Sequence, residues 1–141
     1  MNDIEKKRVL FVCTHNAARS QMAEGLMRNF YGDNFEVFSA GTNPSGVHPY
    51  AIKVMMEIGI NISNHYPKSV EDFMDRDIDY VITVCDKARE ACPFFPGGKK
   101  YIHKSFEDPG SASGTEDQVI DVFRHVRGEI KDWIKETFRD I

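Results

Sequence analysis

The sequence predicts one α/β domain, built as an open sheet of parallel strands with helices on both faces. Short apolar runs alternate with segments of helical periodicity along the chain, and this alternation is typical of βαβ units. No repeat, low-complexity tract or linker divides the 141 residues, a length that suits one hydrophobic core. We therefore expect a single domain over residues 1–141, with ligands bound beyond the C-terminal ends of the strands.

Four segments have the character of strands. Residues 8–12 form a nearly continuous apolar run, which suits a strand buried on both faces of a parallel sheet. Residues 35–40 form the second strand, which ends at Gly41, and residues 80–84 carry the strongest strand signal in the chain. Residues 100–103 form a weaker fourth strand.

Two helices are expected in the first half of the chain. Ser20 stands where the N-cap of the first helix should be, and Gly32 supplies its stop. The apolar positions of this helix are Met22, Ala23, Leu26, Met27 and Phe30. The second helix carries Ala51, Ile52, Met55 and Ile58 at helical spacing, and Gly59 closes it.

Further helical signals follow in the second half. Ser69 with Asp72 could cap a short helix that carries Phe73. The polar segment 86–91 has room for one or two helical turns. Residues 116–138 carry a long amphipathic stripe, which predicts the final helix.

Composition and charge exclude several classes of function. With 41% hydrophobic and 28% charged residues the chain suits a soluble globular protein, and it lacks the run of about 18 apolar residues that a membrane span needs. The net charge of −4 gives no electrostatic footprint for nucleic acid. The first eight residues mix acids and bases, unlike a signal peptide. We expect a cytoplasmic monomer with no nucleic-acid or membrane partner, in which any bound anion is held by a local device.

The loop after the first strand has the spacing of an oxyanion site. It reads Cys13-Thr14-His15-Asn16-Ala17-Ala18-Arg19-Ser20, so that five residues separate the cysteine from the arginine. A tight loop of this length turns its backbone N–H groups inward, and the following helix points its positive end at the same place. Arg19 can offer a bidentate fork to two oxygens of a tetrahedral anion. In such surroundings the Cys13 thiolate, which is the nucleophilic form, is favoured, and the Ser20 hydroxyl can donate to it.

The alternative is that Cys13 is a small buried residue that ends a strand. The strand before the loop, the helix after it and the serine that follows Arg19 together favour a functional site. Residues 14–20 of the loop are therefore candidates for substrate binding, with Cys13 as the nucleophile.

These residues resemble a known family. The run Val-Cys-Thr-His-Asn-Ala-Ala-Arg-Ser-Gln-Met-Ala-Glu-Gly over 12–25 is similar to the signature of the low-molecular-weight tyrosine phosphatase superfamily. The segment 20–24 resembles its thioredoxin-coupled arsenate reductase branch more closely, and 38–41 and 62–65 match further segments of that family. The resemblance covers nearly the whole chain and implies a four-stranded parallel sheet in the order 2-1-3-4.

The resemblance assigns a general acid to Asp108. Taken alone, Asp108-Pro109 in a loop rich in glycine and serine is a turn former, and Glu107 is the nearest competitor for the role. The family places at this position the acid that protonates the leaving oxygen, which is otherwise a poor leaving group. Gly110 stands where the phosphatases commonly have an aromatic residue, a departure that favours a small inorganic substrate over a phosphotyrosine side chain.

The resemblance also implies a relay of thiols. The chain has three cysteines, and reduction of As(V) to As(III) takes two electrons that thiols can supply by exchange. In the implied mechanism Cys13 attacks arsenate, Cys85 attacks Cys13 and releases arsenite, and Cys92 then attacks Cys85. The segment between Cys85 and Cys92 must unwind for the last bond, which thioredoxin or a similar dithiol protein reduces. Phosphate and sulfate are expected as competing oxyanions.

Other interpretations of these residues remain open. Cys85, Cys92 and His103 could be metal ligands, but the spacing lacks a Cys-x2-Cys knuckle, and both cysteines could simply pack in the core. A phosphatase that acts through a cysteinyl-phosphate needs Cys13, Arg19 and Asp108 but neither of the other thiols. A non-catalytic oxyanion-binding or redox-sensing module is a third alternative, which the intact set of nucleophile, arginine and acid disfavours.

No tightly bound cofactor or resident metal is expected, although some members of the family bind potassium near the loop. Asn16, Glu24 and Ser39 match positions of that potassium site. Lys68 stands where an acidic ligand would be expected, which counts against potassium in this chain. The remaining histidines, 48, 65, 103 and 125, have no partner that the sequence identifies.

Overall fold

The computed structural model describes residues 6–141, so most of the segment used to exclude a signal peptide lies outside the described residues. The strands are β1 (Lys7–Cys13), β2 (Phe35–Gly41), β3 (Ile78–Thr83) and β4 (Gly98–His103), and the helices are α1 (Arg19–Tyr31), α2 (Pro49–Met56), α3 (Asp86–Ala91) and α4 (Glu116–Phe138). Single 3-10 turns lie at Val70–Phe73 and Pro109–Ser111. Within residues 6–141, no helix combines the length and the apolar character that crossing a membrane requires.

The strands form one parallel sheet in the order β2-β1-β3-β4, which confirms the expected topology. Because all strands run the same way, their C-terminal ends meet at one edge of the sheet. Cys13 at the end of β1 pairs in register with Gly41 at the end of β2. Cys85 follows β3, so the fold brings the first two cysteines to the same edge.

Central strand β1 is buried on both faces, as its apolar run predicts. Val9, Leu10, Phe11 and Val12 are all fully buried, and successive side chains of a strand point to opposite faces. Helices therefore cover both faces of the sheet. Helix α1 packs against α4 and β2, α2 packs against α4, and α3 contacts β1 and β3.

The long helix α4 has the predicted bounds. A capping box begins it, since the Thr115 hydroxyl accepts from the Gln118 N–H while the Gln118 side chain accepts from the Thr115 N–H. Its apolar stripe packs into the core through Ile120, Phe123, Val126, Ile130, Ile134 and Phe138. Trp133 is only half-buried and lies edge-on to Phe106, with the ring centroids 6.2 Å apart.

The predicted start of the first helix is wrong. Helix α1 begins at Arg19, and Ala18 is its N-cap residue, with no side-chain cap. Ser20 lies inside the first turn, where its hydroxyl is 2.8 Å from the Cys13 sulfur instead of on a helix N–H. A serine before an apolar stripe predicts a cap locally, but here the thiol is the partner that the loop brings within reach.

Candidate active site

The anion loop, residues 13–19, joins β1 to α1 and wraps around the Cys13 sulfur. The backbone N–H of Asn16 donates to that sulfur at 3.2 Å, and the Ser20 hydroxyl lies 2.8 Å from it. Asn16 has a left-handed φ of 52°, a conformation that asparagine tolerates better than most residues. These contacts surround the sulfur with hydrogen-bond donors, which stabilise a thiolate.

The loop between β2 and α2, residues 42–48, is hydrogen-bonded to the anion loop. Four of its backbone N–H groups donate to anion-loop carbonyls, in the pairs Thr42 to Cys13, Asn43 to Thr14, Ser45 to His15 and His48 to Ala17. The carbonyls are thus turned away from the cavity, so that the N–H groups of the anion loop face it. Gly41 permits this contact, because a Cβ there would lie 2.6 Å from the Thr14 carbonyl oxygen.

Asn16 is the buried hub of this arrangement. Its side-chain N–H₂ donates to the Ser20 and Ser39 hydroxyls, at 2.8 and 3.0 Å. Its side-chain oxygen accepts from Gln21 at 3.0 Å and from the Lys68 backbone N–H at 2.9 Å. The fully buried side-chain amide of Asn16 is therefore hydrogen-bonded through both its N–H₂ group and its oxygen. These bonds connect the anion loop to α1 and β2.

Glu24 lies beneath this hub and is surrounded by positive charge. Its carboxylate accepts from Ser39 and lies 2.8 Å from Arg28, 3.5 Å from the Lys68 ammonium and 3.6 Å from His65. Burial by itself raises the pKa of Glu24, but the Ser39 hydrogen bond and the three basic neighbours outweigh it and hold the pKa below its usual value.

These contacts bear on potassium. Asn16, Glu24 and Ser39 do come together as the family pattern implies. However, the Lys68 ammonium already neutralises the Glu24 carboxylate at 3.5 Å. A donor set that already contains an ammonium group fits a second cation poorly, so the residues present do not fit a potassium ion.

Arg19 and Asp108 face each other across the mouth of the loop. The Arg19 Nη2 atom is 3.8 Å from Asp108 Oδ2, and its Nη1 donates to the Phe106 carbonyl oxygen at 3.1 Å. Asp108 begins the 3-10 turn Pro109–Ser111, where its carboxylate accepts from the Gly110 N–H at 2.9 Å and from the Ser111 hydroxyl at 3.1 Å. The fold thus brings the predicted acid to the predicted nucleophile and arginine.

Two adjoining cavities meet at these residues. The cavity around the nucleophile has a volume of about 180 Å³, well below the roughly 300–1,000 Å³ of pockets for drug-sized ligands. It is lined by Cys13, His15, Ala17, Ala18, Arg19, Ser45, His48, Asp108 and Gly110. The second cavity shares His15, Arg19 and Asp108 with the first and adds Thr14 and Cys85. The first cavity is small enough to suit an inorganic oxyanion.

The second cysteine lies at the rim of the anion loop. Cys85 is buried, and its sulfur lies 3.5 Å from the Thr14 hydroxyl. It is also the N-cap residue of α3, where the sulfur accepts from the Ala88 N–H at 3.4 Å. A thiolate at this position would be stabilised by that donor and by the helix N-terminus.

The third cysteine lies in different surroundings. Cys92 is the C-cap residue of α3 and is half-buried, and burial raises its pKa to about 11. It lines a groove along β4 with Phe94, Tyr101 and His103. All three cysteines are free thiols.

A metal site made of Cys85, Cys92 and His103 does not form in the described part of the chain. His103 is instead 2.7 Å from the Thr83 hydroxyl and 3.0 Å from the Asp86 carboxylate. The one set of three metal-ligating side chains that converges within residues 6–141 is Glu107, His125 and Glu129, and all three are exposed.

Sequence reasoning missed two residues of the site. Gln21 donates to Asn16 and to the Tyr66 carbonyl oxygen, and so fastens the hub to the loop before Lys68. His48 lines the nucleophile's cavity. The family-like run 20–24 marked Gln21 without giving it a role, and no pattern in the sequence connects His48 with Asp108.

Comparisons with known proteins agree with this geometry. Residues 8–141 match the family described as low molecular weight phosphotyrosine protein phosphatase. An arsenate reductase of Halalkalibacterium halodurans is 42% identical over 137 residues, which make up 97% of this chain and 98% of that protein. A solved arsenate reductase in its phosphate-binding state is 36% identical with a TM-score of 0.82, over 96% of this chain and 98% of the other. The solved thioredoxin-dependent arsenate reductase of Corynebacterium glutamicum is 33% identical with a TM-score of 0.69, over 96% of this chain and 63% of the other.

Proposed function

The chain belongs to the low molecular weight phosphotyrosine protein phosphatase family, and from this premise we propose that it is an arsenate reductase with a three-thiol relay coupled to a thioredoxin-like protein. The observation that carries the proposal is the position of Cys85. Its sulfur lies 3.5 Å from the hydroxyl of Thr14, the residue that follows the nucleophile. A phosphatase has no use for a second thiol at this place, whereas a reductase does.

In the first step the Cys13 thiolate attacks arsenic and forms an S–As bond. The N–H groups of the anion loop and the Arg19 guanidinium hold the oxygens of arsenate. Asp108 gives its proton to the departing oxygen, which leaves as water after it has taken up protons. The Ser20 hydroxyl and the Asn16 N–H contact the sulfur that makes this attack.

In the second step the Cys85 thiolate attacks the Cys13 sulfur. A Cys13–Cys85 disulfide forms, the S–As bond breaks, and its electron pair stays with arsenic, which is thereby reduced from As(V) to As(III) and leaves as arsenite. The two thiols supply both electrons. Cys85 is the N-cap residue of α3, and its sulfur is the atom that makes this attack.

In the third step Cys92 attacks Cys85, freeing Cys13 and leaving a Cys85–Cys92 disulfide. Cys92 lies at the opposite end of α3 from Cys85, and its raised pKa of about 11 keeps it protonated near neutral pH. Unwinding of α3 both shortens the distance and exposes the thiol to water, where it ionises more readily. A thioredoxin-like dithiol then reduces the disulfide, and phosphate or sulfate competes with arsenate in the anion loop.

The second candidate function is hydrolysis of phosphate monoesters. It is favoured by the family itself and by the juxtaposition of Cys13, Arg19 and Asp108, which suffices for a cysteinyl-phosphate mechanism. Gly110 and the small volume of the cavity argue against a phosphotyrosine side chain as the main substrate.

The test is arsenate-dependent oxidation of NADPH in the presence of thioredoxin and thioredoxin reductase. Wild type is compared with Cys85→Ser and Cys92→Ser, and hydrolysis of p-nitrophenyl phosphate is followed in parallel. We expect each substitution to abolish arsenate turnover and to spare ester hydrolysis. Ester hydrolysis by all three proteins without arsenate turnover would identify a phosphatase whose two extra cysteines only pack.

We further propose that the reaction needs no potassium, because the Lys68 ammonium takes the part of the cation beside Glu24. The monomeric state and the cytoplasmic location stay predictions of the sequence.

A further inference from the structure

His48 lies in the nucleophile's cavity together with Cys13, Arg19 and Asp108. Its backbone N–H donates to the Ala17 carbonyl oxygen at 2.9 Å, which fixes the residue to the anion loop. It is also the residue immediately before α2.

The ring of His48 is held in one orientation. Its Nδ1 atom accepts from the Tyr50 N–H at 3.0 Å, so that His48 caps α2 with its side chain. A ring nitrogen that accepts carries no proton, and the neutral imidazole must then carry its proton on Nε2. One side of the ring also packs on Phe123, with the centroids 4.7 Å apart.

The Cδ2 atom of this ring lies next to the turn that carries the general acid. A Cβ placed on Gly110 would lie 3.8 Å from His48 Cδ2, the ring atom bonded to Nε2. Burial lowers the pKa of His48, although the Asp108 carboxylate acts to raise it. The ring therefore presents a neutral N–H group to a space shared with Asp108, Arg19 and Cys13.

We propose that His48 is a positioning residue for Asp108, whose Nε2–H donates to the carboxylate that Asp108 becomes when it protonates the leaving oxygen. The proposal rests on the acid role given to Asp108 in the proposed function. Only a proton moves, from the Asp108 carboxyl to the oxygen that departs. A donor aimed at the carboxylate stabilises the product of that transfer.

The neutrality of the ring matters for this role. An imidazolium would compete with Arg19 for the oxyanion, whereas a neutral N–H group leaves the anion to the arginine and the loop. Nδ1 is already taken by Tyr50, so a second ring proton would break the cap of α2. The same contact thus fixes the direction of the donor and disfavours the charged form of the ring.

Two substitutions separate the cap from the donor. His48→Asn keeps a side-chain acceptor for α2, since asparagine is a good N-cap residue, but its amide is too short to replace Nε2. His48→Gln can place an N–H₂ group near the position of Nε2 but caps poorly. We expect His48→Asn to keep the wild-type Tm and to lose roughly three- to tenfold in kcat, the effect of one hydrogen bond. His48→Gln should have a lower Tm than wild type but a higher kcat than His48→Asn.

The decisive readout compares two esters. p-Nitrophenolate leaves almost without help from an acid, whereas phenolate needs the proton. If His48 acts through Asp108, then His48→Asn slows hydrolysis of phenyl phosphate more than that of p-nitrophenyl phosphate, with little change in KM. The proposal would be overturned if His48→Asn slowed hydrolysis of both esters equally. It would also be overturned if the decrease in kcat ran parallel to the decrease in Tm in the two variants.

Ester hydrolysis does not require Cys85 or Cys92, so this result stands even if the relay fails. Should the ester reaction be too slow to measure, kcat for arsenate in the same variants decides, and an unchanged kcat in His48→Asn overturns the proposal. Absence of both reactions would overturn it together with the proposed function.

Discussion

The Arg19 guanidinium donates from Nη1 to the carbonyl oxygen of Phe106 at 3.1 Å. The side chain that is expected to hold the oxyanion therefore also supports the loop that leads to Asp108. Its second terminal nitrogen, Nη2, lies 3.8 Å from the Asp108 carboxylate. A single planar group thus sets the spacing between anion loop and acid.

Arg19→Lys tests that double role. Lysine keeps the charge but cannot reach the carbonyl and the anion at the same time. Since hydrogen bonds to charged groups contribute about 1.5–3 kcal/mol each, kcat/KM for arsenate should fall roughly 10- to 100-fold in steady-state assays. Arg139→Lys, at an exposed arginine that follows α4, is the matched control. Similar kinetics for both variants would contradict the role.

Ser20→Ala tests the donor at the nucleophile. The hydroxyl lies 2.8 Å from the Cys13 sulfur, so its removal should disfavour the thiolate. In a background in which Cys85 and Cys92 are serine, alkylation of Cys13 by iodoacetamide at mildly acid pH should slow roughly tenfold, as followed by mass spectrometry. Alkylation at the wild-type rate would mean that the Asn16 N–H suffices. The exposed Ser63→Ala serves as control.

Glu90→Gly tests the unwinding of α3. Glu90 is the exposed penultimate residue of this six-residue helix, and glycine weakens a helix by about 1 kcal/mol relative to alanine. If unwinding limits the third step, the Cys85–Cys92 disulfide should form up to about fivefold faster in Glu90→Gly than in Glu90→Ala. Rapid quenching and mass spectrometry after one turnover give the rate. Equal rates in the pair would show that Cys92 reaches Cys85 without opening the helix.

Lys68→Asp tests whether the Lys68 ammonium takes the part of a potassium ion beside Glu24. Wild-type kinetics should be the same in potassium and sodium chloride at equal ionic strength, because the Lys68 ammonium already compensates Glu24. The variant leaves two carboxylates beside the Asn16 hub and should lose activity in sodium that potassium restores. A potassium-dependent wild type would refute the idea, and the exposed Lys53→Asp controls for the change in net charge.

Glu57 makes stability depend on pH. Hydrogen bonds from Arg124, and then from Arg127, outweigh desolvation and lower its pKa from 4.5 to about 2. A group whose pKa is lower in the folded state stabilises the fold above its ordinary pKa, and this contribution is lost as the pH falls through the folded value.

Glu57→Gln should therefore lower Tm near neutral pH, and its difference from wild type should shrink between pH 4.5 and about 2. Thermal unfolding followed by circular dichroism measures this difference. The exposed Glu136→Gln should show no such convergence. A pH-independent difference would assign the effect of Glu57 to packing between α2 and α4.

Local patterns were enough to predict most of the fold. The apolar run of β1 and the stripe of α4 are dictated by burial, which acts at every residue of an element and so leaves a periodic signal. The parallel sheet follows from the alternation of strands and helices, although its order came from the family resemblance. The predicted start of α1 is wrong because one hydroxyl was expected both to cap the helix and to contact the thiol, and in the folded loop Ser20 makes only the second of these contacts.

Spacing alone predicted the site only where its residues lie close together in sequence, and the distant residues Cys85, Asp108 and Lys68 were assigned to it by the family resemblance. Cys13, Arg19 and Ser20 belong to one short loop, so their spacing alone predicts that they meet. His48 and Asp108 come together only through the tertiary fold, as do Lys68 and Glu24. A single sequence contains no signal for such pairs, since neither partner alters the local pattern around the other.

The burial of Cys92 also affects how well this thiol resists oxidation while no substrate is bound. Peroxides and other bystander oxidants attack thiolates, and over-oxidised sulfur is lost to exchange chemistry. With a pKa of about 11 and half of its surface covered, Cys92 is a poor target while α3 is folded. In the proposed relay, the reducing equivalents of Cys92 are thereby protected until a disulfide has formed at Cys85, so that the idle protein retains its capacity for turnover under oxidising conditions.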